Sequence, residues 1–117
     1  MDKSKSVSKS KRIELLNVTK QQAEQFVRTA LDQELLIISS HAREEMVDDG
    51  INEVQIRGVL KQNRMVEEPT RDLKGRWSCR FEGYHSGQGI AVPVGFDCRH
   101  DGTIVVVITT FSLNNYR

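Results

Sequence analysis

Hydrophobic positions fall into two regimes along the chain, recurring at helical spacing up to Leu60 and alternating or running continuously from Trp77 to Phe111. Ala23, Phe26, Val27, Ala30 and Leu31 lie on one face of a helix predicted over about Lys20 to Gln33. Thr19 with Gln22 three residues on has the form of a capping box, and Val18 with Ala23 that of a staple. Leu35 to Ile38 is wholly apolar, partly β-branched and too short for a helix, so it reads as a buried strand or a tight link, the strand being favoured. Ser39 and Ser40 are natural N-caps for a second helix that opens at His41 and ends at Asp49-Gly50, where glycine suits a left-handed cap. Asn52 with Gln55, and Ile51 with Ile56, repeat the box and the staple, and this third helix ends near Gln62.

The period then changes to two. Trp77, Cys79 and Phe81 alternate with Arg76, Ser78, Arg80 and Glu82, and two further strands follow over Ile90 to Phe96 and Thr103 to Phe111. Ser86-Gly87-Gln88-Gly89 and Asp101-Gly102 supply the turns of a meander. Pro93 has no N–H for a ladder, so its strand should be an edge or be bulged there, whereas Thr103 to Phe111, apolar on both faces, should be central. The expectation is an α+β domain with N-terminal helices packed on one face of a small antiparallel sheet. The other face should be a concave polar surface bearing Arg76, Ser78, Arg80 and Glu82.

Length and charge refine this outline. The 117 residues suit one domain, expected over 15–117, after a basic tail over 1–14 with almost nothing apolar to bury and therefore expected to be disordered when free. Residues 1–12 carry five basic side chains against Asp2, while the remainder is net acidic, so nucleic-acid contact would need a local patch. Arg57, Lys61, Arg64, Arg71, Lys74, Arg76 and Arg80 form one, against Glu67, Glu68 and Asp72; a merely solvated face is the plain alternative. No apolar run is long enough to cross a membrane and no secretory leader is visible, so a cytoplasmic location is expected. Cys79 and Cys98 have no partner at zinc spacing and read as reduced thiols, with no metal or other cofactor expected.

Among the polar residues His41 stands out. At the start of a helix the positive dipole end favours the neutral imidazole, the form that acts as a general base, and Glu45 one turn on faces the same way. The competing reading is a histidine that caps or packs. Arg76 and Arg80 project to one side of an extended strand, spaced to grip phosphates or stabilise a phosphorane, or else to pair with carboxylates across the sheet. Trp77 shares the side of Cys79 and Phe81 and belongs to the core; His85 and His100 fall in turns; one of Thr109 and Thr110 should turn its hydroxyl to the polar face.

Ser39-Ser40-His41-Ala42-x-x-x-Met46, Gly50-Ile51, the Gly75-x-Trp77-x-x-Arg80 strand and the closing Thr109-x-Phe111 resemble a bacterial domain family of unknown function with the signature His-Ala-x-Glu-Arg-Met, over about residues 19–112. Glu45 and Asp49 stand where that family has arginines. The order of elements is also similar to the RelE and MqsR groups of toxins. That resemblance implies a RelE/barnase-like fold and a metal-independent endoribonuclease toxin of a type II toxin-antitoxin system, partnered by an antitoxin protein and acting on RNA, alone or on the ribosome. In that mechanism His41, with Glu45, activates the ribose 2′-hydroxyl, Arg80 and Arg76 stabilise the phosphorane, and Lys61, Arg64, Arg71 and Lys74 hold the RNA. Two other readings stand beside it: a non-catalytic protein-interaction module, and an RNA- or ribosome-binding module that does not cut.

Overall fold

The computed structural model describes residues 11–113, so the tail expected over 1–14 lies outside the described residues except for its last four positions. Three helices among the described residues begin where the capping chemistry puts them: α1 at Lys20–Gln33, α2 at Ser40–Asp49 and α3 at Glu53–Gln62. Thr19 and Gln22 close a reciprocal box at 3.1 and 2.9 Å, Asn52 and Gln55 another at 2.9 and 3.0 Å, and Ser39 Oγ accepts the Ala42 N–H. Glu34, Gly50 and Asn63 end the helices in left-handed conformation.

Six strands among the described residues form one mixed sheet: β1 Leu36–Ile38, β2 Met65–Arg71, β3 Trp77–His85, β4 Gln88–Arg99, β5 Gly102–Val107 and β6 Phe111–Ser112. Their order is β1-β5-β4-β3-β2, and β6 pairs with β4 beyond the end of β5. The α+β class holds, but the sheet is not purely antiparallel. Because α1 and β1 precede the meander, β1 enters beside β5 in parallel, with Leu36 opposite Val105 and Ile38 opposite Val107. This places β5 between two strands, in the central position expected of it.

β2 has no counterpart in the periodicity. Pro69, Glu67 and Glu68 break its alternation, and its register against β3 shifts twice, so it is a charged, irregular edge strand of the kind that discourages pairing with other chains. Pro93 lies inside the sheet, not at an edge, and the bulge is opposite it. Between the Val94–Val107 and Ala91–Phe111 pairs, two residues of β4 face three on the β5–β6 side, and the Pro93 carbonyl accepts the Ile108 N–H at 3.0 Å. The strand expected over Thr103 to Phe111 is therefore split into β5 and β6. Ser86 and Gly87, both at positive φ, make the two-residue turn between β3 and β4.

All three helices cover one face. Val27, Ile56, Val59 and Leu60 meet Phe81, Val92, Val94, Val105 and Val107 in a single core, and each such fully buried side chain contributes about 1.5–3 kcal/mol. Trp77 and Phe96 point into this layer, with Phe96 packed at 5.4 Å on Phe26 of α1. The opposite face carries no helix of the described residues. Among the described residues no helix is long and apolar enough to cross a membrane.

Candidate functional site

Side chains alternate across β3, β4 and β5, so the residues between the core positions line the open face: Ser78, Arg80 and Glu82; Pro93, Gly95 and Asp97; Val106, followed by Ile108 at the bulge. Two adjoining hollows of about 530 and 340 Å³ lie on this face and share Ser78 and Ile108, making one groove. Its floor is small and apolar at Gly95, Val106 and Ile108. Ile108 is 42% exposed, and Ile37 on the neighbouring β1 is 50% exposed.

Residues 12–15 wall the larger hollow. They run antiparallel beside the end of β4, in the lane that β3 vacates beyond Trp77, with the Ile13 N–H donating to the Cys98 carbonyl at 2.7 Å and the Trp77 indole N–H to the Leu15 carbonyl at 3.0 Å. The β2–β3 turn adjoins this wall, with Arg71 3.9 Å from Glu14. There the Asp72 carboxylate accepts the N–H groups of Lys74 and Arg76, both at 2.9 Å, and the Arg76 hydrogen bond chiefly holds its carboxyl below the usual range.

The charges around the groove neutralise one another. Arg80 lies between Glu67 at 3.3 Å and Glu82 at 3.5 Å; Arg76 pairs with Asp72 at 3.5 Å, and Arg71 with Glu14 at 3.9 Å. Asp97 holds Arg99 at 2.7 Å and has Arg12 at 3.2 Å. Arg57, the remaining arginine of the basic stretch apart from Arg64, is held by Glu34 and Glu53 on the helical side. Carboxylates distant in sequence from the basic stretch, such as Glu14 and Glu34, thus reach its cations in space.

The expected catalytic residues do not assemble. Arg80 lines the smaller hollow and Arg76 the larger, but His41 and Glu45 line neither. They sit on α2, which packs against β6, with His41 Nε2 3.9 Å from Glu45 Oε2 and the imidazole 63% exposed. Two strand spacings, about 10 Å, separate the backbone of Arg80 from that of Ile108, and Ser39, which precedes α2, joins Ile108 from the far side. None of the expected RNA-binding residues lines either hollow. Lys61 ends α3 on the helical layer, Arg64 leads into β2, Lys74 is at the hairpin tip and Arg71 is on the edge strand. Thr110 is buried and its hydroxyl donates to the Ala91 carbonyl at 2.8 Å, an internal bond, while His85 turns its ring over Gly58 of α3 and contacts Ser86 Oγ.

Asp97, Arg12, Val106 and Ile108 are the groove residues that the sequence alone does not single out. The one available signal is Asp97, a carboxylate between Phe96 and Cys98 where the strand is otherwise apolar. Burial pushes the thiol of Cys79 up to about 12 and that of Cys98 upward, so neither is poised as a nucleophile.

Residues 38–112 match the profile of DUF4258, described as a domain of unknown function. No curated protein and no solved structure matches the chain.

Proposed function

Since the chain belongs to the DUF4258 family, a description that carries no activity, we propose from the geometry that it is a binding domain whose recognition surface is the open face of the sheet and whose partner is a polypeptide. The observation that carries this reading is the internal neutralisation of the arginines beside an apolar floor. Nucleic-acid affinity comes largely from cations free to displace counterions from phosphates, and an arginine already held by its own carboxylate contributes little of that. A groove with exposed aliphatic side chains at its centre and polar groups at its ends suits a protein segment. Amide chemical-shift mapping tests it: selected extended peptides should move Ser78, Gly95, Val106 and Ile108. Movement of these amides by single-stranded RNA alone would overturn it.

A second reading is favoured by Arg76, whose side chain is 66% exposed at the rim of the larger hollow that Arg12 and Ser78 also line, with Lys3, Lys5, Lys9 and Lys11 preceding Arg12 in sequence. Here the domain is a cytoplasmic endoribonuclease toxin related to the RelE and MqsR groups, restrained by an antitoxin, with Arg76 and Arg80 stabilising the phosphorane. His41 and Glu45 line neither hollow, so they take no part at that phosphate in this reading. Growth arrest on induced expression, with RNA cut at defined sites and both effects lost in Arg76→Ala, supports this reading; a harmless chain that accumulates folded rejects it.

A further inference from the structure

The two edges of the sheet are built differently. β2 carries Glu67, Glu68, Pro69 and two register shifts, devices that keep an edge from pairing. β1 at the other edge is Leu36-Ile37-Ile38, with no charge, proline or register shift. The helices that flank it in sequence turn under the sheet, α1 onto β5 and α2 onto β6, and no described strand lies on its outer side. Ile37 is half exposed there.

The parallel register fixes which main-chain groups that outer side presents. Toward β5, the Leu35 carbonyl accepts the Val105 N–H at 3.0 Å and the Ser39 N–H donates to the Val107 carbonyl at 3.1 Å. Alternate residues of a strand direct these groups to opposite sides, so Leu36 and Ile38 turn their N–H and C=O groups outward. Their side chains belong to the core layer, whereas Ile37 stands on the open face beside Val106.

The two ends of β1 are opposite in charge. Asp32 and Glu34 are exposed where α1 ends, at the negative pole of a helix with no basic residue in its last turn. α2 starts directly after β1 with exposed His41 and no acidic residue in its first turn, and Arg43 follows. Glu34 and Arg43 have Arg57 and Glu53 as partners within the chain, and each is exposed enough to meet a second. An antiparallel neighbour of the same sequence sets the acidic end against the start of α2 twice over. A parallel one sets like against like.

We propose that β1 pairs antiparallel with β1 of a second copy of this chain about a two-fold axis at Ile37. Leu36 of each copy exchanges both main-chain hydrogen bonds with Ile38 of the other, and the two Ile37 residues form the closer, non-hydrogen-bonded pair, about 4.5 Å apart at Cα. The row Gly95, Val106 and Ile37 then continues into its copy across one sheet. A strand this short buries less than the ~1,200 Å² of a standard interface, so the dimer is weak and forms at high concentration. The inference does not depend on what the open face binds.

Sedimentation velocity of the full chain from the micromolar to the millimolar range tests it. The sedimentation coefficient should rise to that of a dimer. Ile37→Lys, which sets like charges opposite each other at the axis, should weaken association at least tenfold, while Ile37→Val preserves it. Ile37→Cys should close a disulfide between copies under mild oxidation, since the Cα separation suits one, and Arg28→Cys on exposed α1 should not, the two native thiols being buried. This cross-link reads the register even where Ile37→Lys fails to fold. A chain that stays monomeric throughout, with Ile37→Cys cross-linking no faster than Arg28→Cys, overturns the inference. Association that survives Ile37→Lys and is lost with Val106→Glu also overturns it, and moves the contact from the edge of the sheet to its face.

Discussion

Gln62 and Tyr84 form a closed amide pair: the Gln62 side-chain N–H donates to the Tyr84 carbonyl at 2.6 Å, and its oxygen accepts the Tyr84 N–H at 3.2 Å. A side chain from the end of α3 thereby replaces the strand that β3 lacks beyond Met65, and joins the helical layer to the sheet. The approach depends on Gly83, since a Cβ there would collide with the Gln62 amide and touch Val59 at 3.3 Å. Gly83→Ala cannot be absorbed by moving Gln62 without breaking both bonds. The expected cost is about 1–3 kcal/mol by urea unfolding. Gln62→Ala in the Gly83→Ala background should make the glycine substitution less costly.

Ser39 has a comparable double role, accepting the Ala42 N–H at 3.0 Å as the N-cap of α2 and donating to the Ile108 carbonyl at 2.9 Å. It fixes the start of α2 to the bulge that ends β5. Ser39→Ala should cost about 1–2 kcal/mol, toward the upper end of the range for a lost cap, because the second bond goes with it. Hydrogen exchange should accelerate at Ala42 and leave the α1 amides unchanged.

The buried Cys79 thiol gives a pH signature. Its value is raised from 9.0 to about 12, chiefly by burial and further by the charge of Glu24, so the unfolded chain loses this proton at lower pH than the folded one. Above 9.0 the folded state retains more protons, and stability falls as pH rises toward about 12. Cys79→Ala should lose less stability over that window. At pH 8 the native thiol should react with a disulfide reagent only as fast as the protein opens.

The helices and their caps were legible because Thr19, Ser39, Asn52 and Gly50 act through neighbours within four residues. So were the β3–β4 turn and the sides on which Trp77 and Arg80 fall, since alternation is local. β2 was not, because an exposed edge strand needs no apolar period and its two glutamates and Pro69 obscure what remains. The groove was illegible for a different reason. Its floor comes from three strands, its wall from residues 12–15, and Arg71 and Arg80 of the basic stretch have carboxylate partners in Glu14, Glu67 and Glu82. His41 and Arg80 were grouped by residue type, and the sheet holds them on opposite sides of β4.

The most direct test of the open face as the recognition surface is photo-crosslinking in bacterial cells, with a benzophenone amino acid in place of Thr70 in the smaller hollow or of Arg28 on exposed α1. The account predicts a discrete adduct from position 70 that protease destroys and ribonuclease does not, lost with Val106→Glu and absent from position 28. An adduct sensitive to ribonuclease, or one formed equally from position 28, would contradict it.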